Sequence, residues 1–426
     1  MDQEELKRRR AQRRQQQAKR KQQQRALLLR LGLAAAVLVV IMLAVLFLGK
    51  QEPAPEAGSP TLSTTTAPTE TTEEDPLTVI HLAAVGDLNV NDTVVGTTNG
   101  GGVYDYTETF ADIAHLLSDA DLTVVNFEGM LSGGPYGTAT HSAPTAMAQA
   151  LASAGVDLIQ LANSYSISQG MLGLASSIDS IRALGMEPLG VYATESDYQQ
   201  EKGYTMLMVK GVKIAFVAFT KGMDGMTLPT GSENCVNLLY SDYDSTYQTI
   251  NTAKIDAVMN AVNEHNPDIT IAMMHWGSEY NDTISSSQES LSRMLQSRGV
   301  DVILGTHSHY VQRMDYDEEN GTFIAWSLGD FLSDAQRSGT EYSVILDLEI
   351  TKDNISGETR VTGYTCTPIF TVVEKDQPVR ILRIKEAMEA YENAHLNAIS
   401  SEVYASMEYA MERLTIRLTP QKEPEE

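Results

Sequence analysis

Residues 269–280 read ITIAMMHWGSEY and residues 300–310 read VDVILGTHSHY. Each is a short apolar run that stops at a histidine or a Gly-Thr-His turn, and the stretch between them, 288–298, has the spacing of a helix. A run of four to eight apolar residues bounded by glycine and polar residues reads as a strand buried on both faces. Two such strands joined by a helix predict a βαβ unit, in which the carboxyl ends of the strands share one edge and ligands collect there.

Working outward, the same grammar continues. Strands are expected at 78–85, 122–126, 156–161, 322–326 and 342–350, and a hairpin at 204–209 and 213–219 around Lys210-Gly211. Helices are expected at 144–153, 176–184 and 252–265. Strands alternating with helices predict an α/β layered domain over 77–375. The stretch 380–418 has helical periodicity and ends in charges, so 376–426 reads as a helical C-terminal extension and charged tail. No internal repeat is present.

The N-terminus has a different composition. Residues 1–30 hold eleven Lys and Arg against three acids, so 1–26 reads as a basic cytoplasmic tail. The apolar run 27–49 includes nineteen uncharged residues from Leu31 to Gly49. At about 1.5 Å per residue that is close to the roughly 30 Å thickness of a bilayer interior. No small-x-small cleavage site follows, and the basic flank lies before the span. The reading is a single-pass anchor in the cell membrane, N-terminus cytoplasmic and main domain extracellular. Residues 50–76, rich in Thr, Pro and Glu, cannot bury a core and read as a solvated linker.

Charge excludes one class of partner. Taking the eleven basic and three acidic residues of 1–30 from totals of 31 and 56 leaves 20 against 53, a balance of −33. A body that acidic is expected to repel nucleic acid and anionic polymers unless a cation intervenes. The two cysteines, Cys235 and Cys366, could pair outside the cell or remain free, and their spacing matches no zinc pattern.

The expected strand ends carry an informative set: Gly86-Asp87, Asn126-Phe127-Glu128, Asn163-Ser164-Tyr165, His275 to Tyr280, and His307-Ser308-His309. A lone Asp after a strand is more often a helix cap, and a lone His more often structural. Five strand ends agreeing is another matter. Imidazole and carboxylate suit Mn, Zn or Fe, and a His-x-His in extended backbone would project both rings to one side. A bound divalent cation would offset the local acidity and activate water.

In order, Gly86-Asp87, Asn126-Phe127-Glu128, Leu161-Ala162-Asn163, the His275–Tyr280 block, Gly305-Thr306-His307-Ser308-His309-Tyr310-Val311-Gln312 and Trp326-Ser327-Leu328-Gly329-Asp330-Phe331 resemble the CapA family of poly-γ-glutamate capsule synthesis proteins. That family's pattern is GD, NLE, ANNH, HWGxEY, GxHPHVxQ and YSLGNF, and the match runs from about residue 78 to 333. The resemblance implies a calcineurin-like metallophosphatase fold, a four-layer α/β/β/α sandwich with one or two divalent metal ions (Mn, Zn or Fe). It implies Asp87, Asn163, His275, His307 and His309 as metal ligands, and His275, Glu128 and Tyr165 as the catalytic set. It also implies work on a capsule or poly-γ-glutamate polymer, in its synthesis, export or attachment, with that surface polymer and polymer-synthesis membrane proteins as partners.

The chain departs from the pattern where it has Asn163-Ser164-Tyr165 in place of Asn-Asn-His, Ser308 in place of Pro, and Asp330 in place of Asn. A hydroxyl is a weak metal ligand, and a tyrosine titrating near 10 is a poor acid at neutral pH. Two functional readings follow: a metal-dependent hydrolase or transferase, and a catalytically impaired scaffold subunit of a surface-polymer export complex. A polymer-binding protein displayed on its stalk is a third, weaker reading.

Overall fold

The computed structural model describes residues 76–96, 103–375, 377–394 and 399–418. The basic tail, the apolar span 27–49 and the linker up to residue 75 lie outside the described residues. Among the described residues no helix is long and apolar enough to cross a membrane.

Two sheets form the frame. The first contains β1 (Leu77–Asn89), β2 (Leu122–Glu128), β3 (Leu158–Gln160) and β4 (Glu187–Leu189), all parallel. The second contains β5 (Tyr204–Val209), β6 (Val212–Thr220), β7 (Ile269–His275), β8 (Val302–Thr306), β9 (Met314–Asp317) and β10 (Thr322–Ala325), in the order β5-β6-β7-β8-β10-β9. Back in the first sheet, β11 (Asp330–Leu332) runs parallel beside β1. Antiparallel strands β12 (Tyr342–Asp353), β13 (Thr359–Val372) and β14 (Arg380–Arg383) extend that sheet from β1.

Side-chain alternation builds the layers. Along β6, Ile214, Phe216 and Ala218 face an inner core shared with Ile80, Leu82 and Ala84 of β1, while Ala215, Val217 and Phe219 face an outer one. A strand's period of two sends neighbours to opposite faces, so a strand covered on both faces must be apolar throughout. The outer face of the second sheet is covered by α7 (Thr252–Asn263), through Ile255, Val258 and Val262, and by α8 (Ser286–Gln296), through Leu291 and Leu295. Short helices α1 (Asp92–Val95), α2 (Thr107–Phe110) and α3 (Ala114–Ser118), with α4 (Thr145–Ser153) and α5 (Gly170–Ala183), cover the outer face of the first sheet. The result is the expected order of layers, α/β/β/α. The remaining helix of this region, α6 (Glu195–Glu201), precedes the β5–β6 hairpin and is capped by Thr194, whose hydroxyl accepts the Asp197 N–H.

The C-terminal stretch corrects the sequence reading. Residues 380–383 are a strand, β14, paired with β13, and only then come α9 (Ile384–Glu392) and α10 (Ser401–Leu418). Ile384, Met407, Ala410 and Leu414 are buried in the inner core, so these helices are packed into the domain. The fourteen-residue β13 was also not expected: Gly363 and Pro368 interrupt its apolar pattern, and its pairing with β12 skips a residue beside Glu349. Both cysteines are free, Cys235 buried and Cys366 half-buried with its Sγ 3.5 Å from Met314 Sδ.

Candidate metal centre

A kink at one glycine sets the site. Strand β1 was expected to stop at Val85, yet it continues to Asn89 past an irregularity in its pairing with β2 between Ala84 and Asp87. A Cβ on Gly86 would sit 1.8 Å from the Gly329 carbonyl oxygen, so only glycine permits this close approach of β1 to the β11 side. The Asp87 N–H then donates to that carbonyl at 2.9 Å, and Asp330, Asp87 and Asn126 come level on three adjacent strands.

The second sheet delivers the imidazoles. His275 closes β7. His307 and His309 follow β8 with φ of 83° and 59°, so the His-x-His segment is a left-handed turn where extended backbone was expected. The turn still brings the rings together: His275 and His307 centroids are 4.3 Å apart, and His307 and His309 6.2 Å. Non-glycine residues in this conformation are uncommon, and they concentrate at functional sites. The Asp87 carboxylate accepts the His307 N–H at 2.9 Å and helps hold the turn.

Three sets of donors converge, each with ligand atoms within 4.8 Å of one another: Glu128, His275 and His307; Asp87, His309 and Asp330; and Glu279, His307 and His309. In the first set, Glu128 Oε1 lies 3.1 Å from His275 Nε2 without hydrogen-bond geometry. That oxygen and both ring nitrogens of His307 are buried with no hydrogen-bond partner. Burial holds the His275 and His307 imidazoles well below their ordinary titration range, helped by the neighbouring His307 for the first and by Lys221 for the second. Both are therefore neutral. With the His275 proton on Nδ1, facing the Thr306 hydroxyl at 3.3 Å, the Nε2 lone pair accepts the Ser164 N–H at 3.2 Å.

The second set is paired internally. His309 Nδ1 donates to Asp330 Oδ1 at 2.8 Å and lies 3.7 Å from Asp87 Oδ2. Burial pushes the His309 imidazole down, but the Asp330, Glu128 and Asp87 carboxylates outweigh it and hold it well above the ordinary range. Burial raises all three carboxyls. Asp87 is pushed up to about 6, with Asp330 adding to the rise and His309 opposing it. Glu128 stands well above its usual range, with Asp87 adding to the effect of burial. Asp330 is raised despite its bond to His309.

Buried carboxylates crowded together, two neutral imidazoles and unpartnered polar atoms on Glu128 and His307 fit a divalent cation. Glu128, His275 and His307 would hold it, with Asp87, His309 and Asp330 beside them.

Asn163 follows β3 and lies against the cluster. Its Nδ2 donates to Asn126 Oδ1 and the Phe127 carbonyl, and its Oδ1 accepts the Tyr165 N–H. It braces Asn126, whose own amide bridges Asp87 Oδ1 at 2.6 Å and faces His275 Nδ1 at 3.4 Å. Ser164, where the CapA pattern has asparagine, lies with Oγ 3.1 Å from His275 Nε2. Tyr165 lines the cleft with Glu128, but burial, then Glu128 and Glu279, raise its phenol far above neutral pH. Its ring stacks on His141 at 3.6 Å between centroids.

Four residues were not singled out beforehand: Asn126, His141, Glu279 and Asp330. Glu279 stood in the quoted HWGSEY block and Asp330 at a noted departure, whereas His141 sits in an irregular loop with no local signal.

Comparison with known proteins identifies the family. A capsule biosynthesis protein, CapA, of Bacillus anthracis is 26 % identical over 295 residues, covering 68 % of this chain and 67 % of that protein. The PGA biosynthesis protein CapA of Bacillus subtilis is 27 % identical over 205 residues, 48 % of this chain and 50 % of that one. A solved phosphatase from Mycoplasma pneumoniae superposes with a TM-score of 0.42 at 14 % identity, over 69 % of this chain and 94 % of its own, too distant to bear on function. The model of the family described as bacterial capsule synthesis protein PGA_cap matches residues 81–335, more than half of the chain and every strand end described above, and the protein belongs to that family.

Proposed function

We propose that this protein is a membrane-anchored, extracytoplasmic member of the family that acts on a capsule polymer of the poly-γ-glutamate kind, in its synthesis, export or attachment, as a metal-dependent hydrolase or transferase. One observation carries the metal reading: Glu128 Oε1 and both nitrogens of His307 are buried, close together and without partners. Leaving such groups unsatisfied costs about 1–3 kcal/mol each, and a bound cation removes that cost for Glu128 Oε1 and for the one His307 nitrogen that carries a lone pair. A divalent ion at this place supplies Lewis acidity and a water activated for attack.

This chain's own residues do the rest. The Ser164 N–H fixes the His275 tautomer by donating to Nε2, Asp87 holds the His307 turn, and Asn126 ties the two sheets together at the centre. The proton-donating place is the weak point. Tyr165 keeps its proton at neutral pH and gives it up too reluctantly to protonate a leaving group well. That favours, as second reading, a catalytically impaired scaffold that retains a metal. The family name and the relatives' names support the polymer, and the apolar span with its basic flank supports the anchor.

Elemental analysis of the purified full-length chain, together with an assay on a phosphodiester and on γ-linked glutamate, tests the proposal. Bound metal with turnover lost in His307→Ala supports the enzyme. Bound metal without turnover, with activity appearing in Ser164→Asn/Tyr165→His, supports the impaired scaffold. Absence of metal under every divalent cation refutes both.

A further inference from the structure

Two clefts open beside the buried donor cluster. One, of about 460 Å³, is lined by Glu128, His141, Tyr165, His309 and Arg337 among others. The other, of about 200 Å³, is lined by Ser164, Lys221, Asp224, Tyr247 and His307. Glu279 lines both, so the two meet over the centre.

Apart from the histidines, each cleft carries one basic side chain, held without an ion pair. The Arg337 guanidinium lies 3.8 Å above the Tyr280 ring, which itself stacks on His309 at 4.9 Å. The Lys221 ammonium donates to the Gly277 carbonyl at 2.8 Å and sits 4.8 Å over the Tyr247 ring. Among the described residues neither has a carboxylate within ion-pair distance. Cation–π contacts position a charge without neutralising it. In a body with a balance of −33, these are two uncommitted positive charges beside a cluster of acids.

The acids between them matter as much. Glu128 and Glu279 near the centre, Asp334 in the first cleft and Asp224 in the second all repel an anionic group, so a ligand's negative charges can be held only at the cations, Arg337 and Lys221. A small anion or a terminal monoester can use only one of the two cations. We propose that Arg337 and Lys221 are specificity residues that seat an internal segment of a polycarboxylate chain, with one carboxylate in each cleft and the chain crossing the metal centre between them. This rests on the proposed function for the place of the metal and for the polymer, and it adds the mode of binding: mid-chain, by two flanking carboxylates.

The test is equilibrium binding of γ-linked glutamate oligomers of increasing length to the full-length chain, with and without chelator, beside free glutamate, inorganic phosphate and a glycerol-phosphate oligomer. The expected result is that free glutamate and phosphate bind weakly and affinity climbs steeply once an oligomer spans both clefts. Arg337→Ala and Lys221→Met should each weaken long-oligomer binding about tenfold, with Arg337→Lys retaining most of it, and neither should change metal content. Arg337 is exposed and Lys221→Met keeps the apolar stem, so both variants should fold. Affinity independent of length, insensitivity to either substitution, or preference for the glycerol-phosphate oligomer would each overturn the proposal. The metal-free binding arm separates this outcome from the metal reading: a chain that binds no metal can still show, or fail to show, the length dependence.

Discussion

The two halves of the buried cluster solve the same electrostatic problem in opposite ways. Asp87, His309 and Asp330 put an imidazolium between two carboxylates and satisfy one another. Glu128, His275 and His307 bring a carboxyl and two neutral rings together and leave three donor atoms with nothing to bind. A charge buried with its partner is a structural element, whereas lone pairs buried without one mark a place for a ligand. The first half should therefore matter for stability, and the second for metal.

Substitution at Asp330 attacks the paired half and carries the largest expected effect. Asp330→Ala leaves a buried imidazolium short of its main partner and should cost about 3–5 kcal/mol in chemical denaturation without metal. Asp330→Asn keeps an oxygen to accept the His309 proton and should cost less. His307→Ala attacks the other half, and metal-free stability should change little, because it removes an unsatisfied group. What it should abolish is the stabilisation by Mn²⁺ or Zn²⁺, about 2.7 kcal/mol at a hundredfold excess over Kd, read as a thermal shift. Equal losses of metal-free stability in the two variants would erase the distinction between the halves.

A smaller effect concerns the loop that carries Glu279 to the centre. It ends in a capping box, in which the Ser285 hydroxyl accepts the Gln288 N–H and the Gln288 side chain accepts the Ser285 N–H. Ser285→Ala should cost about 1 kcal/mol, equally with and without metal.

Lys254, outside the cluster, supplies the reference titration. Burial pushes its ammonium down to about 7, with Glu195 and Cys235 opposing only in part. An unfolded lysine titrates near 10.4, so between about pH 7 and 10 the unfolded chain holds a proton that the folded chain lacks. Stability should rise with pH across that window, by at most about 1.4 kcal/mol per pH unit, and the full penalty should be present below it. Lys254→Met should flatten the rise with metal present or absent, as followed by denaturation midpoints at several pH values.

How much of this was legible beforehand varies with the range of the interaction. Strands β1, β2, β7 and β8 were readable because their apolar runs are local, and their ends named Asp87, Glu128, His275, His307 and His309. Asp330 was not assigned to the site, because β11 is three residues long and is placed only by long-range pairing with β1. The left-handed turn at His307 and His309 is imposed by Asp87 from 220 residues away, which no local pattern encodes. Asn163 was taken for a ligand since its position after β3 was right. Its amide also bonds Asn126, Phe127 and Tyr165, contacts set by packing that no local pattern encodes.

The central claim is that the unpaired half grips a cation. Isothermal titration of the metal-stripped full-length chain with Mn²⁺ and Zn²⁺, beside His307→Ala and Asp330→Asn, tests it most directly. The account predicts saturable binding in the unsubstituted chain and in Asp330→Asn, and none in His307→Ala. Binding that survives in His307→Ala, or that is absent from the unsubstituted chain, would contradict it.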